Sequence, residues 1–169
     1  MKEIWNDIVK YAALGNILHL ILSYLYTFVG SKDIILSSSI LGLLLIMWLL
    51  IGFQFTFKID KKSEIGLLAL GLVSLLPIIL FLITCQSLEG LDNLNDVQNY
   101  SIFYFLGAPV LFWSKLFTPI MGLFKESSIY IQLDINVAVV FLVICLGGYL
   151  GCFAKVKSNN KKEKTLKKV

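Results

Sequence analysis

Three uninterrupted apolar runs constrain this chain most, because each is close to the about 20 residues that a helix needs to cross a bilayer core. They cover about 34–57, 65–84 and 135–154, and a fourth run, about 11–29, is interrupted by a few polar residues. The chain is 57% hydrophobic, above the about 45–50% of soluble domains. The pattern predicts an all-α integral membrane protein, a four-transmembrane-helix bundle forming one membrane domain over 1–154.

The two ends of the chain carry charge. Residues 1–10 place Trp5 among charges of both signs, which predicts a short juxtamembrane helix anchored at the interface. Residues 155–169 contain seven lysines and almost no apolar side chains, so a disordered tail is predicted there. A lysine cluster beside the membrane attracts anionic lipid. No aromatic residues alternate with these lysines, so nucleic acid is not an expected partner.

The stretch 85–134 decides the number of crossings. It begins acidic and becomes apolar and aromatic over 100–124. Pro109 and Pro119 interrupt a continuous helix, and Lys115 at the bilayer centre would cost about 2.5–3.5 kcal/mol. Short interfacial or re-entrant helices within a long outer loop are therefore favoured over a fifth crossing, which stays open as the alternative.

The distribution of lysine supports the four-crossing topology. All fifteen basic residues are lysine, and with four crossings and both termini cytoplasmic, twelve of them lie inside. A fifth crossing would move either the lysine tail or the 58–62 loop outside. The positive-inside rule therefore predicts a multi-pass protein of the cell membrane with both ends in the cytoplasm.

The apolar part of the outer loop is the first candidate site. Aromatic rings suit the headgroup level of a membrane, and a lysine can extend from there to water. The predicted outer interaction surface consists of Tyr104, Pro109, Trp113 and Lys115. Such a surface would fit a membrane-protein partner or a second copy of the chain.

The first apolar run carries the second candidate site, a polar stripe. Asn16, His19, Ser23 and Tyr26 are spaced by 3, 4 and 3 residues, which places them on one helix face. His19 is the only histidine. Two interpretations follow: a polar path or pocket in which His19 carries protons, or interhelical hydrogen bonds of about 0.6 kcal/mol each. The second is favoured because no other span holds an ionisable residue.

Small residues in the last two runs predict close helix packing. Gly147 and Gly151 are four residues apart, as are Gly148 and Cys152, and this spacing lets helix backbones approach. The favoured partner is a helix of the same chain. The acidic residues of 89–96 predict only a solvated helix face, because no calcium-loop pattern accompanies them.

The sequence lacks the patterns of the common enzyme sites. One histidine without a neighbouring acid or cysteine forms neither a catalytic triad nor a zinc site, and no cofactor is implied. The leading hypothesis is a non-catalytic accessory, protective or interaction subunit. The alternative is a small transporter or pore that uses the polar stripe, and a lipid-modifying enzyme is a third class. Convergence of Ser74, Thr84 or Asn136 on His19 would favour the alternative.

Overall fold

The computed structural model describes residues 2–29, 33–58, 63–89 and 110–166, and in this part of the chain all regular structure is helical. The helices are α1 (Lys2–Val29), α2 (Ile34–Lys58), α3 (Ser63–Glu89), the short apolar α4 (Val110–Phe124) and α5 (Ile129–Leu166). Each of α1, α2, α3 and α5 contains a segment that is long and apolar enough to cross a membrane, which confirms the prediction of four such helices. The acidic stretch 90–96 lies outside the described residues.

Two helices extend beyond their predicted limits. Helix α1 begins at Lys2, so residues 2–10 continue the apolar run instead of forming a separate helix. Helix α5 continues to Leu166, although the composition of 155–169 predicts disorder. Lysine and glutamate are good helix formers, and extending an existing helix avoids the cost of nucleation. Charge and low hydrophobicity therefore do not end the helix here.

Polar side chains mark the starts of two helices. The Asp33 carboxylate accepts a hydrogen bond from the backbone N–H of Ile35 at 2.8 Å, at the beginning of α2. The Ser128 hydroxyl oxygen accepts one from the N–H of Ile131 at 3.4 Å, at the beginning of α5. Both bonds satisfy donors that the first turn of a helix leaves without a backbone partner.

The fold divides into two compact units. Unit 1 consists of residues 1–15, 45–74 and 140–169. Unit 2 consists of residues 16–44 and 75–139. Each unit takes a piece of all four long helices, because the division falls within each of them. Helix α4 belongs entirely to unit 2.

Unit 1 is built on close contact between the α2 and α5 backbones. A Cβ atom added to Gly147 would meet the backbone carbonyl of Leu49, and one added to Gly52 would meet that of Ile144. The Thr56 hydroxyl donates a 2.8 Å hydrogen bond to the Gly148 carbonyl across the same interface. The prediction that the small residues of the last run pack within the chain is confirmed.

Aromatic side chains fill the rest of the unit 1 core. Trp48 is fully buried and lies over Gly15 of α1, where a Cβ atom would overlap its ring. The rings of Tyr11 and Phe55 meet edge to face with centroids 5.8 Å apart. These contacts attach the first half of α1 to α2.

Unit 2 has its own apolar core. Its members come from all four long helices and from α4; the largest fully buried ones are Tyr26, Leu44, Leu75, Leu116, Phe117 and Leu133. The long helices nevertheless present many exposed large apolar side chains in both units. Leu43, Leu72 and Leu142 are each more than half exposed.

Candidate functional site

The polar stripe of α1 faces the interior of unit 2. His19 and Ser23 are completely buried, Tyr26 is buried, and Asn16 is partly exposed. Their neighbours Leu18, Leu20 and Tyr24 point outward. The helical spacing therefore places the polar atoms on the packed face of α1, as the sequence predicted.

A proline lies within α4. Pro119 stands near the start of the turn Thr118–Met121 and cannot donate a backbone hydrogen bond. The α-helical geometry is interrupted by 3₁₀ turns at Lys115–Phe117 and Gly122–Phe124. The Thr118 hydroxyl donates a 2.6 Å hydrogen bond to the Lys115 carbonyl at the first interruption. The part of this segment that the structure describes, Val110–Phe124, is shorter than a helix that crosses a bilayer.

The end of α4 is tied to the beginning of α5. The side-chain amide of Gln132 donates hydrogen bonds to the carbonyls of Phe124, at 3.1 Å, and Ser127, at 3.0 Å. One glutamine therefore holds two carbonyls of the connection between these helices. This contact fixes where α4 ends relative to α5 within unit 2.

The central contact of the site joins α1 to α4 through His19. Its Nε2 lies 2.9 Å from the backbone carbonyl oxygen of Trp113. A carbonyl can only accept, so Nε2 carries the proton and donates it. The His19 ring also stacks on the Trp113 ring, with centroids 4.1 Å apart and planes inclined by 18°. One histidine thus fixes both the backbone and the side chain of the same tryptophan.

Phe117 extends this aromatic cluster by one helical turn. Its ring lies 5.3 Å from that of Trp113 and 6.1 Å from that of His19, measured between centroids. Leu116 and Phe117 are fully buried, and Val110 is nearly so. We call His19, Trp113 and Phe117 the aromatic clamp. It holds one face of α4 against α1.

The predicted outer surface needs correction at Trp113. Only 4% of this residue is exposed, so it belongs to the core of unit 2 and not to a surface at the headgroup level. The reason is that His19 offers both a stacking partner and a hydrogen-bond donor inside the unit. Lys115 is partly exposed. Tyr104 and Pro109 lie outside the described residues.

Three large apolar side chains of α4 are exposed. Leu123 is 79% exposed, and Leu111 and Phe124 are also exposed. Leu111 is turned away from the buried Val110, Trp113 and Phe117 by its helical spacing, whereas Leu123 and Phe124 belong to the terminal turn Gly122–Phe124. Sequence reasoning missed these residues because it selected Tyr104, Pro109, Trp113 and Lys115 from the segment. We call Leu111, Leu123 and Phe124 the exposed residues of α4.

Several buried polar atoms of unit 2 have no hydrogen-bond partner among the described residues. They are the hydroxyls of Ser23 and Ser114, the indole N–H of Trp113 and both side-chain atoms of Asn136. Such atoms cost free energy unless water or a ligand satisfies them. The interior of unit 2 therefore contains polar groups in addition to its apolar core.

The other polar side chains of the spans are used locally. The Tyr26 hydroxyl lies 3.0 Å from that of Ser37, which joins α1 to α2 within unit 2. Thr84 donates to the Leu80 carbonyl of its own helix at 2.8 Å. Ser74 belongs to unit 1, and Asn136, in unit 2, is fully buried. The Nε2 of His19 thus bonds to α4, whereas the Thr84 hydroxyl bonds within its own helix.

In the described ranges, no three histidine, cysteine, aspartate or glutamate residues are placed to share a metal ion. Comparison of the chain with protein families, curated proteins and solved structures finds no match. The function must therefore be argued from the contacts of the chain itself.

Proposed function

We propose that this chain is a multi-pass protein of the cell membrane that acts as a non-catalytic interaction subunit, with α4 as the element that docks a partner. Four apolar helices of membrane-crossing length support insertion, as do the large apolar side chains that they expose. The lysine distribution supports cytoplasmic termini, and with four crossings α4 would then lie on the outer side.

The observation that carries the docking role is the two-sided character of α4. Its inner face is held by the aromatic clamp, which fixes the Trp113 backbone through the 2.9 Å bond from His19. The exposed residues of α4, Leu111, Leu123 and Phe124, remain available to a partner. A helix whose backbone is already held in place loses less conformational freedom when it docks.

The same contacts argue against a transport role for His19. A proton carrier needs access to water, whereas His19 is completely buried and donates Nε2–H to a backbone carbonyl. The transporter alternative is favoured by the buried polar atoms of Ser23 and Asn136, which have no hydrogen-bond partner in the part of the chain that the structure describes. Buried water would satisfy those atoms equally well.

Photo-crosslinking tests the docking role. A benzophenone side chain introduced at Leu123 in living cells is expected to give one adduct of discrete mass, because this position faces the proposed partner. The matched control carries the same benzophenone side chain at Leu142 of α5, which is 65% exposed and outside α4. We expect no discrete adduct from Leu142, because lipid surrounds it.

Liposome flux decides between the two functions. Purified protein in sealed liposomes is expected to leave proton and small-solute flux at the level of empty liposomes. Flux that His19→Ala abolishes, together with no discrete adduct from Leu123, would contradict the proposal and establish the transporter alternative. An adduct with a second copy of the chain would identify the partner as the protein itself.

A further inference from the structure

A lateral groove in unit 1 lies between α3 and α5. Its volume is about 450 Å³, within the range of about 300–1,000 Å³ of small-molecule sites. Four of its lining residues have apolar or weakly polar side chains: Leu67, Leu68, Cys145 and Tyr149. Glu64 and Cys152 complete the lining.

The register of the two helices orders these residues along the groove. A Cβ atom on Gly148 would meet Leu67, and one on Gly71 would contact the Phe141 ring. Since α3 residue numbers rise as α5 numbers fall, the helices are antiparallel. Glu64 and Cys152 therefore lie at one end of the groove, Leu68 and Tyr149 in the middle, and Cys145 at the other end.

The charged end coincides with the end of an apolar span. The membrane-length segment of α3 runs from Glu64 to Thr84, so the Glu64 side chain lies at its boundary. Glu64 is exposed. Lys155 lies one helical turn beyond Cys152 on α5, which adds a basic group near the same end.

We infer that this groove binds a phospholipid with a primary amine in its headgroup, of the phosphatidylethanolamine type. The carboxylate of Glu64 accepts hydrogen bonds from the lipid ammonium group. One acyl chain lies along Leu68 and Tyr149 toward Cys145. The apolar wall beside the groove faces the acyl region of the bilayer, since Leu68 and Tyr149 are 50% and 69% exposed.

Charge complementarity selects this lipid over others. The carboxylate of Glu64 attracts an ammonium group, and the basic Lys155 near the same end suits the lipid phosphate. A purely anionic lipid supplies the phosphate but leaves Glu64 without a cationic partner. A quaternary choline head has the same charge but no N–H to donate, so it forms no hydrogen bond with Glu64. The inference depends on membrane insertion, as proposed above, but not on the docking role of α4.

Protection of the Cys145 thiol, at the end of the groove opposite Glu64, tests the inference. The full-length chain with Cys85→Ala and Cys152→Ala keeps Cys145 as its one thiol, which a small maleimide alkylates in lipid nanodiscs. With phosphatidylethanolamine, alkylation is expected to be about tenfold slower than with phosphatidylglycerol of the same chains, the factor that one charge-assisted hydrogen bond is worth. Phosphatidylcholine should give an intermediate rate.

Two variants with matched controls locate the binding. Glu64→Gln should remove the difference between lipids, whereas Asp134→Asn, an exposed acidic residue of unit 2, should keep it. Leu68→Trp should fill the groove and reduce the phosphatidylethanolamine retained in native mass spectra, whereas Leu72→Trp on the same helix should not. Leu72 is also exposed but does not line the groove.

Equal protection by all three lipids, or an unchanged difference in Glu64→Gln, would overturn the inference. Protection that needs no lipid and accompanies a crosslinked dimer would also overturn it, by making the groove a protein interface. Carbonate extraction of the cell membranes from which the chain is purified separates these results from a failure of insertion, since an inserted chain resists extraction whatever lipid it binds.

Discussion

His19→Ala is expected to detach α4 from α1 and to expose Lys115 to trypsin. The substitution removes the donor to the Trp113 carbonyl and the ring that stacks on its side chain. Leaving a buried acceptor unsatisfied costs about 1–3 kcal/mol, and an aromatic pair is worth about 0.5–1.5 kcal/mol. The free energy that holds α4 should therefore fall by about 2–4 kcal/mol, enough to populate its detached state.

The rates of trypsin cleavage after Lys115 and after Lys125 measure this change. Lys115 and Lys125 are the only basic residues between positions 63 and 154. Lys115 is partly buried and Lys125 exposed, so cleavage after Lys115 should accelerate at least about tenfold, since 1.4 kcal/mol is a factor of ten. Cleavage after Lys125 should change little and serves as an internal standard.

Two further variants separate the clamp from a general loss of stability. His19→Gln keeps an N–H donor without the aromatic ring, so its cleavage rate should fall between those of the parent and His19→Ala. Leu20→Ala changes an exposed neighbour and should behave as the parent. Equal cleavage after Lys115 in the parent and His19→Ala would show that the clamp does not hold α4.

Gly147→Ala is expected to lower the melting temperature of the detergent-solubilised protein by several degrees. Its new methyl group would meet the backbone of Leu49 in α2, and a backbone cannot move aside as a flexible side chain can. Overpacking of this kind costs about 1–3 kcal/mol, which exceeds the about 1 kcal/mol that alanine gains over glycine in a helix. Helices α2 and α5 must therefore move apart to admit the methyl group.

Gly42→Ala in α2 provides the matched control. No atom lies within 4 Å of the Cβ position there, so only the gain in helix propensity remains and the melting temperature should hold or rise. Gly148→Ala should fall between the two, because its methyl group meets the Leu67 side chain, which can change rotamer. A Gly147→Ala protein as stable as Gly42→Ala would contradict the close α2–α5 contact.

The long helices were predictable because their signal is local. An apolar run of sufficient length indicates a span without reference to the rest of the chain, and the 3.6-residue period placed His19 and Ser23 on the interior face of α1. The ends of α1 and α5 were predicted less well. Charged residues stop an apolar run, but they do not stop a helix that has already formed.

The partner of His19 was not predictable from these signals. Trp113 lies 94 residues along the chain, and hydropathy treats it as one more aromatic residue of an interfacial segment. Its burial depends on a stacking partner and a donor that only the tertiary structure supplies. The exposed residues of α4 were not selected from the sequence because leucine and phenylalanine there are indistinguishable from core residues.

In the proposed topology, α4 packs against α1 without crossing the membrane. Impermeant maleimide labelling of single cysteines tests it most directly, with the three native cysteines replaced by alanine. Asp33→Cys precedes α2, Ser128→Cys precedes α5, and Ser158→Cys lies near the cytoplasmic end of α5. The four-crossing topology predicts that Asp33→Cys and Ser128→Cys label from outside intact cells and that Ser158→Cys labels only after permeabilisation. Labelling of Asp33→Cys and Ser128→Cys from opposite sides would reveal a fifth crossing and contradict this topology.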